Sequence, residues 1–380
     1  MNQFIRTSQG YASWFGDSLG GIREIKVFGI YEQKYAEFLK KKSDVIDKQK
    51  EMNLLGQWNN VMDNMILQVL TFILYILGAN LVFRFQLSVG SIFAFITYSS
   101  YVTGPISSVL NIGYFLSGII PSSKRYFSFM NLQEEDIEKE NNISLRPGKL
   151  ELKGIFFSYF EDRHVLDNIN ISFPDRSKTA IIGENGSGKS TIINLLLRIY
   201  EPIEGRILLN DINIFDFALL DYRKMIAVVS QQIYLFNDTI RNNICLYKEV
   251  SDEKIRKVCR DSTLEEFINE KGLDYIVGNN GTLLSGGQKQ KIALARALLC
   301  ESCIIIFDEA TSNADTFSEK QINGLLHTKL MQKTVIIITH KREVLKDVEN
   351  IVILKNGKVL DQGCFKELLK RNFEFRKMVE

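Results

Sequence analysis

The chain has 380 residues, room for about two domains, with 45% hydrophobic and 24% charged residues. These proportions exclude a disordered chain, and a formal net charge of only +2 gives no general argument for nucleic-acid binding. The five cysteines stand at scattered positions, which argues against a disulfide framework and is typical of a reducing compartment.

Two long apolar runs dominate the first third of the chain. Residues 1–60 are mixed and charged with a helical period, and the apolar runs follow at about 61–83 and 91–120. A helix needs an apolar run of about 20 residues to cross the hydrocarbon layer of a bilayer. Two buried helices of a soluble protein remain the alternative, because polar residues such as Asp63 and Asn64 interrupt the first run.

The distribution of positive charge favours the membrane interpretation. A lysine-rich stretch precedes the first run, Lys124 and Arg125 follow the second, and the connecting loop contains only Arg84. Because Lys and Arg mark the cytosolic side, we predict a membrane hairpin with both outer ends in the cytosol. This gives a partial transmembrane domain at 1–130, multi-pass in the cell membrane with the lipid bilayer as a partner. An acidic, polar linker follows at 131–149.

From residue 150 onward, apolar β-type runs alternate with helical patterns, which indicates an α/β domain with a largely parallel sheet. A short apolar run, TAII at 179–182, leads into a glycine-rich loop and then an apolar helix, the strand–loop–helix setting of GxxxxGK[ST]. Backbone N–H groups of such a loop surround phosphates, Lys189 would add a positive charge, and the Ser190 hydroxyl would bind Mg²⁺. The loop consists of Gly183, Glu184, Asn185, Gly186, Ser187, Gly188, Lys189, Ser190 and Thr191.

A second part of the predicted metal site lies at the end of another apolar run. Residues 304–307 are apolar and lead directly into Asp308 and Glu309. Two acids at the end of a buried strand are costly without a partner, so we expect a functional role. Asp308 would hold Mg²⁺ through water, and Glu309 would orient or deprotonate the attacking water.

A further anion-binding helix start stands about a hundred residues after the phosphate loop. The phrase LSGGQ precedes the helical pattern KQKIALARALL, and it exposes N–H groups at a helix start. One ATP does not need both sites from one subunit. We therefore predict a head-to-tail dimer, with ATP between the Lys189 loop of one subunit and this motif of the other. The motif residues are Ser285, Gly286, Gly287 and Gln288.

Together, GENGSGKST, LSGGQ and IIIFDEATS resemble the nucleotide-binding domain of ABC transporters, over residues 150–380. The preceding segment is similar to the last two membrane helices of an ABC exporter of the lipid-flippase and multidrug type, through its hydropathy and the phrases GIREIKVFG and LSVGSIFAF. The implied fold class is an α-helical transmembrane segment followed by an α/β P-loop NTPase domain of the ABC cassette type. The implied cofactors are ATP and Mg²⁺. The implied partners are a second ABC subunit, identical or different, and an exported substrate whose nature the sequence does not reveal.

The resemblance also implies roles for single residues. Tyr159 would stack on adenine, Gln231 would approach Mg²⁺ and the attacking water, and His340 would contact the γ-phosphate. Asp315 would cross the dimer interface. Asn279 stands where exporters usually carry a glutamate, which removes a charge before LSGGQ. The implied catalytic set is Glu309, His340 and Gln231.

Exporter subunits of this type have six membrane helices and this chain shows two, so we expect a truncated product or one piece of a split subunit. The favoured hypothesis is the ATP-binding and membrane subunit of an exporter that couples ATP hydrolysis to translocation. A transport-incompetent fragment and a soluble-type cassette ATPase with a role outside transport remain the alternatives.

Overall fold

The computed structural model describes residues 2–84, 88–132, 134–135, 143–160, 164–308 and 324–379. The chain divides into two compact units, Met1–Glu134 and Glu135–Glu380. The division falls inside the predicted linker at 131–149.

The first unit is helical. Gly21 separates its first two helices, and Gly29, at a φ of +63°, separates the second from the third. The Ser88 hydroxyl accepts a hydrogen bond from the Ser91 N–H at 3.2 Å and so caps the fourth helix. The helices are α1 (Asn2–Gly20), α2 (Ile22–Val27), α3 (Tyr31–Phe83) and α4 (Val89–Met130).

Helices α3 and α4 contain the two predicted apolar runs. By length and composition, Asn64–Phe83 could cross a membrane, with a mean hydropathy of 2.2, and Gly90–Ser99 is a shorter apolar stretch. A Cβ added at Gly78 would lie 3.0 Å from Cδ1 of Ile92, so the two helices approach closely at this glycine. The first run thus has the properties of a membrane span, and spanning by the second run stays a prediction.

Aromatic side chains join α1 to the beginning of α3. The ring of Phe38 lies 6.2 to 6.5 Å from the rings of Tyr11, Trp14 and Phe15, measured between centroids. The Lys34 ammonium lies 5.5 Å from the centre of the Trp14 ring, a cation–π contact. This cluster stabilises the pairing of the charged, non-spanning part of α3 with α1.

The second unit contains two sheets. The smaller one is antiparallel, in the order β2-β1-β4-β5, and is made of β1 (Leu150–Phe157), β2 (Leu166–Phe173), β4 (Glu204–Leu209) and β5 (Ile212–Asn213). The larger one has the order β10-β9-β3-β8-β7-β6, with only β10 antiparallel to its neighbour. Its strands are β3 (Lys178–Gly183), β6 (Ile226–Val229), β7 (Ile304–Asp308), β8 (Thr334–Ile338), β9 (Asn350–Lys355) and β10 (Lys358–Gly363).

Helices cover the larger sheet, and short 3₁₀ turns occur at Ile214–Asp216 and Asn279–Gly281. The helices are α5 (Lys189–Leu196), α6 (Leu219–Lys224), α7 (Ile240–Cys245), α8 (Asp252–Asp261), α9 (Glu265–Lys271), α10 (Gly286–Leu299), α11 (Arg342–Lys346), α12 (Phe365–Arg371) and α13 (Phe373–Val379).

The core has one hydrophobic layer on each face of the larger sheet. Along β3, Ile181 packs into the layer shared with the smaller sheet and α5, whereas Ala180 and Ile182 pack into the layer on the opposite face. All five residues of β8 are buried, as expected for a parallel strand covered on both faces. A third cluster holds α7, α8 and α10 together as a helical region.

Candidate nucleotide-binding site

Four neighbouring parallel strands end at the same edge of the larger sheet. Ile181 of β3 lies beside Ile338 of β8, and Ile338 lies beside Asp308 of β7. Phe307 of β7 in turn lies beside Val229 of β6. In open α/β sheets the carboxyl ends of parallel strands form the ligand-binding edge. The phosphate loop, His340 and Gln231 therefore follow strands that end at this one edge, and Asp308 is the last residue of one of them.

The glycines of the phosphate loop are needed for different reasons. A Cβ at Gly183 would lie 2.3 Å from the carbonyl oxygen of Leu354, and one at Gly188 would lie 2.5 Å from Cδ2 of Leu166. Gly186 has open space around it but takes a φ of +80°, which L-residues rarely adopt. A side chain at Gly183 would collide with the backbone of β9, whereas Gly188 lies beside a side chain that can move but takes a φ of +103°, which also favours glycine.

Two side chains of the loop are prepared for an anion. The Lys189 ammonium is buried and donates hydrogen bonds to the carbonyl oxygens of Gly183 at 2.6 Å and Glu184 at 3.0 Å. The hydroxyl of Ser187 is buried and has no hydrogen-bond partner within the described part of the chain. Leaving a buried hydroxyl unpaired costs free energy, so a phosphate oxygen would supply what the protein lacks. These residues fit the triphosphate of a nucleotide.

The loop forms one wall of an open cleft of about 880 Å³. Tyr159 lines the same cleft, and its ring makes edge contacts with Phe157 and Tyr200 at centroid distances of 5.0 and 5.2 Å. Its hydroxyl lies 3.2 Å from Oγ1 of Thr191. Gln231 also lines the cleft. The structure thus brings the predicted adenine, phosphate and glutamine-loop residues together in one cavity.

The cleft includes residues that the sequence did not indicate. His164 lines it with its Nδ1 3.1 Å from the Ser158 hydroxyl, and Lys355 lines it while paired with Glu374 of α13. That hydrogen bond raises the pKa of Lys355. The Asn-Gly pair at 356–357 signals the β9–β10 hairpin. This pair gives no information on which loop the hairpin faces. Local sequence patterns therefore could not predict that residues of the hairpin line the cleft.

Oxygen donors for Mg²⁺ stand around the cleft edge. Ser190 is exposed within the cleft, Asp308 is half-buried at the end of β7, and Gln231 is exposed two residues after the end of β6. Hydroxyl, carboxylate and amide oxygens are the ligands that Mg²⁺ prefers, so the donor set fits this ion. His340 is exposed two residues after the end of β8. Glu309 and Asp315 lie outside the described residues, and their roles stay predictions.

The LSGGQ motif lies elsewhere in the unit. Ser285 is the N-cap of α10, where its hydroxyl accepts from the Gln288 N–H at 3.2 Å and its own N–H donates to Oε1 of Gln288 at 2.8 Å. A Cβ at Gly286 or Gly287 would meet nothing within 4 Å, so packing inside the chain does not require these glycines. None of these four residues lines the cleft. Within one chain, the two anion sites remain separate.

Arg296 ties α10 to the segment that follows Gln231. Its Nε donates to the carbonyl oxygen of Asn243 at 2.8 Å, and its Nη1 donates to that of Tyr234 at 3.4 Å. The Asn243 amide holds the same segment through the N–H and carbonyl oxygen of Phe236. Burial lowers the pKa of Arg296, but an arginine stays charged. The motif helix and the glutamine segment are therefore one hydrogen-bonded assembly.

Comparison with known families decides the identity. A family model described as "ABC transporter" matches residues 166–312. A second one, described as "ABC transporter transmembrane region", matches residues 10–106. The chain belongs to the ABC transporter family. The match to the transmembrane region argues against a soluble-type cassette ATPase.

Similar proteins and structures cover nearly the whole of this ABC transporter chain. A protein of Hahella chejuensis named "ATP-dependent lipid A-core flippase" is 32% identical over 97% of this chain, and one of the same name from Nitrosococcus oceani is 32% identical over 98%. The chain spans 65% and 63% of the length of these relatives. The solved structure of a bacterial Atm1-family ABC exporter with ATP bound has a TM-score of 0.85 and 28% identity. That match covers 99% of this chain and 67% of the exporter chain.

These matches confirm three of the predictions from sequence. The family is that of ABC transporters, the fold class is a helical transmembrane region followed by an α/β P-loop cassette, and the chain is a membrane protein with a cytoplasmic cassette. The individual site residues and the domain boundaries stay predictions.

Proposed function

We propose that this ABC transporter chain binds ATP and Mg²⁺, hydrolyses ATP in a dimer of cassettes and couples hydrolysis to translocation of a substrate across the membrane. The main support is the separation of two anion sites in one chain. The cleft holds Lys189 and the Ser187 hydroxyl, which has no hydrogen-bond partner among the residues that the structure describes, while Ser285 caps a helix outside it. A second copy of the cassette, identical or different, would bring its Ser285 to the open side of the first cleft.

Nucleotide binding would use groups that are already in place. The adenine would stack on Tyr159, and the loop N–H groups would receive the phosphates. The Lys189 ammonium, now bound to two backbone carbonyls, would exchange them for phosphate oxygens. Ser190, Asp308 and Gln231 would hold Mg²⁺, which neutralises phosphate charge when bound.

The partner cassette would complete the site through a helix N-terminus. Ser285 uses its oxygen lone pair to cap α10, which leaves its hydroxyl hydrogen available to donate to an anion. The open space at Gly286 and Gly287 would allow the backbone N–H groups to approach a phosphate closely. The N-terminal end of the α10 dipole would add to this attraction.

Hydrolysis would then depend on positioning and charge rather than on covalent chemistry. Glu309 would accept a proton from the attacking water, His340 would contact the γ-phosphate, and Gln231 would orient the water and the metal. The test is Glu309→Gln in the full chain reconstituted in lipid nanodiscs. We expect ATP affinity to persist while turnover falls by roughly 10²–10⁴-fold. Unchanged turnover in Glu309→Gln would remove this residue from the role of base.

The substrate class is proposed from the relatives. Two of them are named lipid A-core flippases, so we propose an amphiphilic lipid with a large polar head group as the substrate. In proteoliposomes, a lipid A-type glycolipid should stimulate ATP turnover in a saturable way, whereas phosphatidylethanolamine should not. Equal turnover with both lipids would overturn the substrate class without affecting the proposal for ATP hydrolysis.

A further inference from the structure

Lys355 lines the nucleotide cleft but has no role in the proposed function. It is the last residue of β9, and β9 lies beside β3, the strand that leads into the phosphate loop. Leu354 and Gly183 are directly paired in this register, so Lys355 and Glu184 are the residues that follow the pair on the two strands. The register therefore brings Lys355 to the beginning of the phosphate loop.

The hairpin that carries this lysine is fixed by close backbone contacts. A Cβ at Gly357 would lie 2.4 Å from the carbonyl oxygen of Val165, the residue before β2. The Gly357 carbonyl oxygen also accepts a hydrogen bond from the Asp167 N–H at 2.8 Å. On the other side, the carbonyl oxygen of Leu354 lies against Gly183 of the loop. The backbone of the lysine is thus held at the cleft by contacts that do not involve its side chain.

The Lys355 ammonium donates a hydrogen bond to a carboxylate oxygen of Glu374 in α13. This hydrogen bond raises the pKa of Lys355, and the charges of Glu374 and, to a smaller extent, Glu184 act in the same direction. The two side chains of the ion pair are 41% and 37% exposed, so water can replace either partner at a modest cost in free energy. A more strongly charged ligand in the cleft can therefore displace the Glu374 carboxylate.

Glu374 is held in position independently of this ion pair. The next residue, Phe375, is fully buried, and its ring makes an edge contact with Phe365 at a centroid distance of 5.5 Å. The Phe375 N–H donates to Oδ1 of Asn372 at 2.9 Å, and the Asn372 amide donates to Asp361 of β10 at 3.1 Å. These contacts keep α13 in place when the ion pair opens. The lysine can then change partner by rotation of its own flexible side chain.

The two lysines of the cleft come from different elements. Lys189 stands at the start of α5 and is buried, whereas Lys355 stands at the end of β9 and is partly exposed. A phosphate chain carries several negative charges, and charge-assisted hydrogen bonds to phosphate are stronger than neutral ones. A nucleotide in the cleft therefore offers the Lys355 ammonium more negative charge than the single carboxylate that it now contacts.

We propose that Lys355 is a second phosphate-binding lysine of the cleft, and that Glu374 competes with the nucleotide for its ammonium. The inference rests on the proposed function, since it requires ATP to occupy the cleft. Binding of ATP would open the ion pair and free the Glu374 carboxylate, so that α13 responds to occupancy of the cleft. Glu374 therefore lowers the affinity for nucleotide, and removing its charge should raise that affinity.

The test measures binding of the non-hydrolysable analogue AMP-PNP with Mg²⁺ to the full chain in lipid nanodiscs by isothermal titration calorimetry. The variants are Lys355→Gln, Glu374→Gln and the double variant. The matched controls are Lys358→Gln and Asp167→Asn, because Lys358 and Asp167 form an ion pair at 2.8 Å beside the same hairpin and neither lines the cleft. Each control removes the same charge close to the cleft, which separates a direct contact from the general field of the protein.

We expect Lys355→Gln to weaken binding about fivefold and Glu374→Gln to strengthen it about threefold. The double variant should bind like Lys355→Gln, because the carboxylate has nothing to compete for once the lysine is removed. Both controls should stay within about twofold of the native chain, since charges beyond direct contact are screened by salt. A local folding defect would weaken binding in both single variants, so effects of opposite sign exclude it.

Native affinity in Lys355→Gln, or native or weaker affinity in Glu374→Gln, would overturn this inference and leave the proposed binding of ATP intact. Equal losses in Lys355→Gln and Lys358→Gln would do the same, because they would show only a general effect of positive charge. Failure of the native chain to bind the analogue would overturn the proposed function, and this inference with it.

Discussion

The hydroxyl of Tyr159 lies 3.2 Å from Oγ1 of Thr191, which connects the predicted adenine platform to the end of the phosphate loop. The ring itself is supported by edge contacts with Phe157 and Tyr200. The hydrogen bond and the aromatic face can therefore contribute separately to nucleotide binding.

We expect Tyr159→Ala to raise the Kd for ATP about tenfold, because a base–aromatic stack contributes roughly 1–3 kcal/mol. Tyr159→Phe keeps the ring and should change the Kd by less than about twofold. The measurement is titration with a fluorescent ATP analogue, with Tyr247→Ala, an exposed tyrosine outside the cleft, as the control. If Tyr159→Phe lost as much ATP affinity as Tyr159→Ala, the hydroxyl and not the ring would be the group that contributes to ATP binding.

Lys189 and Lys333 form a matched pair, since both ammonium groups donate to backbone carbonyls at 2.6 Å and only the first lines the nucleotide cleft. A ligand that binds only the folded state raises the Tm. MgATP should therefore raise the Tm of Lys333→Met as it does that of the native chain, and should leave the Tm of Lys189→Met unchanged. The comparison is made by thermal unfolding with and without nucleotide. A full ATP-induced shift in Lys189→Met would contradict the role of this ammonium in phosphate binding.

Ser285 combines a structural role with the proposed role toward an anion. Ser285→Ala loses the N-cap, which costs about 1 kcal/mol. Ser285→Asp keeps a capping oxygen but places a negative charge at the proposed phosphate contact, so we expect near-native stability with ATP turnover below that of Ser285→Ala.

The control for these variants is Thr239→Ala, which removes the equivalent cap of α7, where the Thr239 hydroxyl accepts from the Asn242 N–H at 3.1 Å. It should lower the Tm with little effect on turnover per folded molecule. Native turnover in Ser285→Asp would show that no phosphate approaches this helix end.

Gly183 and Gly186 distinguish crowding from backbone strain within one loop. An added Cβ at Gly183 would collide with the carbonyl oxygen of Leu354 at 2.3 Å, whereas Gly186 has a φ of +80° and no neighbour within 4 Å. We expect Gly183→Ala to cost roughly 2–4 kcal/mol and Gly186→Ala about 1 kcal/mol. Thermal unfolding of both variants checks the order. Equal Tm values for the two variants would mean that the contact between the loop and β9 can relax at little cost in free energy.

Local motifs predicted what depends on neighbours in sequence. The phosphate loop follows β3 and precedes α5 as expected, because its glycines, lysine and apolar flanks act within a dozen or so residues. Ser285 at the start of α10 was likewise predictable, since a cap and its partner stand three residues apart. His164 and Lys355 were not, because each reaches the cleft through a turn whose position depends on distant strands.

By itself, the amino-acid sequence determined the family, the apolar runs, the presence of two anion-binding helix starts and the residue types of the metal site. Only the tertiary structure decided that β8, late in the chain, inserts between β3 and β7, so that His340 follows the strand between the phosphate loop and Asp308. It also decided that two lysines far apart in sequence, Lys189 and Lys355, line one cleft. The physical reason is that strand order and cavity walls arise from long-range pairing and burial, which no local pattern of residues encodes.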